Sequence, residues 1–377
     1  MDAVSALLGW SFAFPPEKAL EWLESQGLEH ARVLRTGKSA VAALLEIPMG
    51  QFFGGWSVPT VGIAGVGVAP EHRGSGAGHA LMRATVIELH RQSVALSTLY
   101  PSTQKLYRGA GWEVAGGRYE IRIAPSLIRV RENEGTLRAM EPADRPAVEA
   151  LFRASASQVN GELDRGPYIW RRVFEPRDKR VRTWLVENGG TLEGYAALFE
   201  DDAEPPYHGL VATDLRATTQ RAALRLLSLL ADHKTLARTV TWRGGPTHPF
   251  LHLLPERGYE VRLRDPWMLR ICHVGRALGG RGYPRGLRAE LHLDVKDEIV
   301  AKNGGRWVLE IADGIGRAAP GGRGRVKLDV RALAALYTGH LPAETLAIAG
   351  KLAGSAADLA AASAAFAGPT PSMTDMF

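Results

Sequence analysis

One order of elements is written twice in this chain, and a repeated order leaves few folds open. The first copy starts with a helix opened by Pro15 and Pro16, with Leu20, Trp22 and Leu23 as its apolar residues. Strands at residues 31–34 and 40–47 follow around a turn at Thr36, Gly37 and Lys38. The strand at residues 60–68 is small and apolar on both faces, as a central strand is. A glycine-rich turn leads into a helix carrying Leu81, Val86, Ile87 and Leu89 and ending near Arg91. A strand at 94–100, a short helix at 104–108 stopped by Gly109 and Gly111, and a strand at 119–123 complete the copy. No clear strand precedes the first helix.

The second copy has a strand at 136–140 and a helix from Pro142 through Phe152. Strands at 182–186 and 194–199 flank Asn188, Gly189 and Gly190, and a further strand lies at 209–212. An amphipathic helix at 219–230, a strand at 237–242, a helical turn at 248–254 and strands at 259–263 and 267–272 follow. A third segment begins after Gly279, Gly280, Arg281 and Gly282. It alternates as strands at 287–295, 306–311 and 325–328, then forms helices at 329–336, from Pro342, and at 356–366. Pro369 and Pro371 stiffen an extended tail ending at Phe377. The reading is a mixed α/β chain with domains at 1–130, 131–278 and 279–377.

At 377 residues, 45% of them hydrophobic and 23% charged, the chain can bury several cores. One cysteine, Cys272, rules out a disulfide scaffold and a cysteine-cluster zinc site; it reads as a buried structural residue. His248 and His252 stand four apart with no third ligand apparent, so no metal is expected. No apolar run reaches the ~20 residues of a membrane span, and no basic segment leads an apolar stretch at the N-terminus. A cytoplasmic protein is expected. Lys and Arg exceed Asp and Glu by 46 to 40, a net +6, but the arginines are scattered and interleaved with acids. The densest stretch, 276–288, is glycine-rich and reads as a connection between domains. No nucleic-acid partner is expected.

The chemistry is carried by the turn from Val66 to Gly78, which contains Arg73-x-x-Gly76-x-Gly78 between a strand and a helix. Glycines let the backbone aim several N–H groups into one space. The helix start adds unpaired N–H groups and the positive end of its dipole. Together they can seat a pyrophosphate, with Arg73 adding a charge-assisted bond. A P-loop would need Gly-Lys-Ser/Thr, which is absent, and a dinucleotide fingerprint belongs on the first strand of its unit.

The full string Val-x-Val-x-Pro-x-x-Arg-x-x-Gly-x-Gly, from Val66 to Gly78, is similar to the acetyl-CoA motif of the GNAT N-acetyltransferases. Two such units and a C-terminal αβ domain resemble the enhanced intracellular survival (Eis) family. Further matches lie at Tyr100-Pro101-Ser102, at 106–112 and at Phe377. The resemblance implies two tandem GNAT-like domains and a sterol-carrier-like third domain, acetyl-CoA as acyl donor, a small-molecule amine acceptor and a homo-hexamer. It implies that Val66, Gly67 and Val68 pair with the pantetheine arm. Gly74, Ser75, Gly76, Ala77, Gly78 and His79 would hold the pyrophosphate, and Ser102 and Thr103 would lie along the cofactor. Tyr107 would protonate the leaving thiolate, and the Phe377 carboxylate would take the amine's proton.

Acyl transfer to an amine needs a neutral amine, a polarised carbonyl and a protonated leaving group. A tyrosine hydroxyl suits the last, with pKa values of about 10 for phenol and 8.5 for thiol. Tyr100 and Tyr119 compete with Tyr107, and Glu113 and Asp375 are the alternative bases. The second copy has Leu215 to Thr219 where the glycine loop belongs, so no cofactor is expected there. Met376 stands where the family carries an acid, with Asp375 one residue earlier, and residues 11–14 supply no acid either. Phe12, Phe14, Trp22, Phe52, Phe53 and Trp56 suggest a more apolar acceptor site than an aminoglycoside needs. The competing function is a non-catalytic carrier or scaffold that holds an apolar ligand in the third domain.

Overall fold

The computed structural model describes residues 2–13, 15–176, 179–201 and 206–377. Contacts divide the chain into two units. The first takes the chain up to Gly116, then Pro266–Pro371 and Phe377; the second takes Gly117–Asp265 and Ser372–Met376.

The first unit opens on helices α1 (Asp2–Phe12) and α2 (Pro16–Gln26). α1 escapes the sequence reading because apolar residues surround it: Val4, Leu7 and Leu8 are buried, while Trp10 is 75% exposed. A helix apolar all round shows no 3.6-residue stripe. Strands β1 (Ala31–Thr36), β2 (Ser39–Phe53) and β3 (Trp56–Val68) form an antiparallel meander. α3 (Ala77–Arg91) crosses over to β4 (Leu96–Leu99), which pairs parallel with β3; α4 (Gln104–Gly109) and β5 (Glu113–Ile123) follow. Leu81, Met82, Val86 and Leu89 of α3 pack on Val61, Ile63, Leu99 and Trp112. Each such fully buried side chain contributes roughly 1.5–3 kcal/mol. Cys272 lies in the same core, where burial pushes its thiol up to about 12.

The strand at Tyr259–Ile271 is one element, not the two the sequence suggests. Arg264-Asp265-Pro266 reads as a turn, yet the backbone runs extended through it, and Met268 to Ile271 pair with β4. Residues 276–288 are likewise not a plain connection. Val274–Gly280 is a helix that buries Val274, Ala277 and Leu278, and His273 caps it by accepting from the Arg276 N–H. The C-terminal sheet runs in the order Ile315–Pro320, Gly305–Ala312, Ala289–Lys296, Val326–Asp329 and Leu352–Ala353. Its first strand, an edge written Ile-Gly-Arg-Ala-Ala-Pro, carries no alternation by which to read it. Helices Val330–Tyr337, Ala343–Ile348 and Ala356–Ala365 complete this part.

The second unit repeats the plan. The end of β5 leads its sheet, followed by Ala237–Gly244, His208–Ala217, Thr191–Asp201, Arg182–Asn188 and Thr136–Ala139. Helix Gln220–Asp232 is capped by Thr219, whose hydroxyl accepts from the Ala222 N–H, and it buries Leu226, Leu227 and Leu230.

Candidate active site

β3 positions the site by outrunning its neighbour. The β3–β4 pairing runs from Thr60–Leu96 to Gly62–Thr98, and β4 ends at Leu99 while β3 continues to Val68. Residues 63–68 thus keep β2 on one side and leave their other edge open to a ligand's backbone-like arm. A bulge reinforces the divergence. Ala43 faces Gly67 and Leu45 faces Ala64, so β3 holds one residue more than β2 there. Gly65, at φ +60°, takes that bend, and a side chain on it would strike Trp22.

The glycine loop closes the end of that edge. Gly74 and Gly76 have φ of +81° and +87°, and a Cβ on either would meet no protein atom within 4 Å. The space in front of both is open. Gly76 caps α3 in the left-handed conformation, and the first bond of the helix runs from Ala80 N–H to Gly76 O. The N–H groups of Ala77, Gly78 and His79 precede that ladder and have no carbonyl within the helix to bond. Gly78 serves packing, with Val68 and Leu106 against it. Ser75 donates to His72 O at 2.6 Å. Exposed Arg73 rests on the Val68 carbonyl at 3.4 Å, a contact a phosphate would outbid. Gly109 leaves room for the His79 ring, and Gly111, at φ +91°, leaves room for Arg270, which binds Asp297 through two bonds of 2.7 and 2.9 Å.

Tyr107 is 4% exposed in the core under α3 and α4. Burial raises its hydroxyl pKa, and a hydrogen bond with the Ser102 side chain opposes the rise. Ser102 and Thr103 are exposed at the start of α4. Tyr100 meets Phe377 instead, with ring centroids 5.6 Å apart. Tyr119 belongs to the second unit. The Phe377 ring occupies the space over Gly62, where an added Cβ would come within 2.8 Å of it and within 2.7 Å of Met49. Sequence reading missed Gly62; the signal was a glycine inside an otherwise well-formed strand, which marks a close approach.

Within the second unit, residues 372–376 are held firmly. Arg165, its side chain fully buried, donates to Asp375 at 2.8 Å and to Asp214 at 2.5 Å, and its guanidinium lies 3.6 Å from the Phe152 ring centre. Thr374 donates to Glu162 at 2.6 Å and accepts from Arg216 at 2.9 Å. Burial alone would raise the Asp214 carboxyl; Arg165 and Arg216 outweigh it and hold the group down at about 2. That stabilisation is present above the ordinary carboxylate value, about 3.9, and is lost as pH falls through about 2. Replacing Arg165 by Met should destabilise the chain by roughly 3–5 kcal/mol in urea unfolding, because two buried carboxylates lose their partner.

The alternative bases are engaged. Glu113 accepts from Arg108 at 2.6 Å and from Lys351 at 3.3 Å, and although burial opposes it these bonds lower its pKa. Phe52 and Phe53 are buried, Phe53 against Tyr337; Trp22 covers Gly65; Phe12 and Trp56 are exposed; Phe14 lies outside the described residues. His248 is buried, and desolvation followed by the charge of Arg216 lowers it to about 3. Among the described residues no cluster of His, Cys, Asp and Glu could hold a metal, and no helix is long and apolar enough to cross a membrane.

Models of an acetyltransferase (GNAT) domain match residues 1–115 and 161–271, and one of a sterol carrier protein domain matches 274–374. The N-acetyltransferase Eis of Mycobacterium tuberculosis is 28% identical over 365 residues, covering 89% of this chain and 86% of that protein. An uncharacterized N-acetyltransferase of Streptomyces avermitilis is 30% identical over 318 residues, covering 79% of this chain and 76% of that protein. The crystal structure of a GCN5-related N-acetyltransferase from Anabaena variabilis superposes with a TM-score of 0.95 at 34% identity, covering 99% of this chain and 96% of that one.

Proposed function

Because the chain belongs to the GCN5-related N-acetyltransferases of Eis type, we propose that it moves the acetyl group of acetyl-CoA onto an amine of a small molecule, at one site in its first unit. The observation that carries this reading is the open edge of β3 running into the glycine-capped start of α3. The pantetheine arm would pair along Val66, Gly67 and Val68. The pyrophosphate would take the N–H groups of residues 74–79 with the Arg73 guanidinium, and Ser102 and Thr103 would flank the cofactor.

The amine attacks the thioester carbonyl directly, and the carbon–sulfur bond breaks toward CoA. A backbone N–H of β3 polarises the carbonyl oxygen. Tyr107 gives its proton to the departing thiolate; burial, which disfavours the phenolate, keeps the phenol protonated and ready to donate at neutral pH. The Phe377 carboxylate takes the proton from the amine, directly or through one water. The second copy lacks the equipment: residues 215–219, between strand and helix, hold no glycine, and Arg216 is bound to Asp214 and Thr374. A carrier role for the third domain finds less support. A cavity of about 450 Å³ there is a wide-open groove lined by Asp294, Lys296, Lys327, Asp329 and Lys351 together with Leu328, Leu352 and Ala353, not an enclosed apolar chamber.

Arg73→Ala should weaken acetyl-CoA binding by roughly 1.5–3 kcal/mol, the worth of a hydrogen bond to a charged group. Calorimetry of the variant checks it. Unchanged affinity would move the pyrophosphate away from this loop, and release of thiol on adding amines tests the reaction itself.

A further inference from the structure

The second unit contains a cavity of about 210 Å³ whose wall carries Arg118, Arg172 and Arg243 beside Thr374 and Asp375. Three guanidiniums face one carboxylate there, and that carboxylate is turned to Arg165 at 2.8 Å. Arg118 is only partly neutralised, by Asp265 at 3.0 Å, and spends its Nε on the Thr374 carbonyl. Arg172 donates to the Tyr168 hydroxyl, which carries no charge. Arg243 reaches Glu120 at 2.7 Å through one nitrogen, and Glu120 is shared with Arg264 at 3.4 Å. The other two nitrogens of Arg243, Nε and Nη1, are buried without a partner. A buried guanidinium N–H left unbonded is costly, and native proteins rarely leave one so unless something fills the place. Burial first, and the like charge of Arg118 second, disfavour the Arg243 cation; Glu120 only partly offsets them.

The place in the fold is also informative. Strand His208–Ala217 pairs with Ala237–Gly244 only as far as Val211–Thr241, then bulges between Ala212 and Asp214. Val211, Ala212 and Thr213 line the cavity. In the first unit the matching divergence and bulge make the open edge of β3. The duplication has kept a ligand-sized gap at this point while replacing the glycine loop, and the volume suits a small acid group rather than a coenzyme.

We propose that this cavity binds a small anion, a carboxylate or phosphate group, between Arg243, Arg118 and Arg172. The anion reaches the cavity from solution, so this reading does not depend on the acetyl transfer proposed above.

The test is thermal unfolding of the full chain as chloride is exchanged for inorganic phosphate at constant ionic strength. The midpoint should rise with phosphate. Arg243→Gln and Arg172→Gln should each raise the phosphate concentration needed by about tenfold to hundredfold, and Arg243→Lys should restore part of the effect. Arg172 is the safer variant, since it is exposed and its side-chain bond is to an uncharged tyrosine hydroxyl. Arg73→Ala should leave the shift intact, which separates this cavity from the glycine loop. A shift absent from the unmodified protein, or undiminished in both Gln variants, or lost only in Arg73→Ala, overturns the proposal.

Discussion

Appending a single residue after Phe377 is expected to lower kcat by about 10²–10⁴-fold, the range for losing a positioned acid–base group, with acetyl-CoA affinity unchanged. A chain end is ordinarily frayed, and this one is not. Residues 372–375 are buried, with Asp375 on Arg165 and Thr374 on Glu162 and Arg216, and the Phe377 ring packs on Tyr100 over Gly62. The ordinary pKa of a chain-end carboxylate, about 3.3–3.7, is low for a base. Amidating or deleting Phe377 should have the same effect as the extension. Phe377→Leu keeps the carboxylate and should cost less. Gly62→Ala should fall between, because the added methyl displaces the ring without removing the charge. Full turnover by the extended protein would send the search for a base elsewhere, and Glu113 and Asp375 are poor substitutes, since both are already bound to cations.

Tyr107→Phe is expected to cost a similar 10²–10⁴-fold in kcat while acetyl-CoA affinity stays the same. The substitution keeps the buried ring and its packing against the α3 core, so stability should change little. The proton alone is lost. Ser102→Ala removes a side chain that bonds the phenol and should give a smaller loss, with the alkaline limb of the pH profile shifted upward, because that bond favours the phenolate. If Tyr107→Phe turns over normally and Tyr100→Phe does not, the acid is the ring beside Phe377 instead.

The glycine loop was legible because its demands are local. Gly74 and Gly76 sit at positive φ, which the chain has to write as glycine whatever surrounds it. The order of strands and helices was legible for the same reason: periodicity and breakers act over a few residues. Gly62 was not, because its reason is a ring at the other end of the chain. Arg165 and Asp214 were equally silent, since an ion network among residues 162, 165, 214, 216 and 375 has no spacing to betray it. The tail shows both cases. Two prolines announce an extended segment, while what anchors it is visible only in three dimensions. Strand Tyr259–Ile271 was broken in the reading by Asp265 and Pro266, a turn signal that the sheet overrides.

Calorimetric titration of the unmodified protein with acetyl-CoA tests the central claim most directly. One site per chain is expected, lost in Gly76→Val, whose side chain would both strain a backbone at φ +87° and fill the open space in front of the loop. Two sites per chain, or one that survives in Gly76→Val, would contradict a single acetyl-CoA seat between β3 and α3.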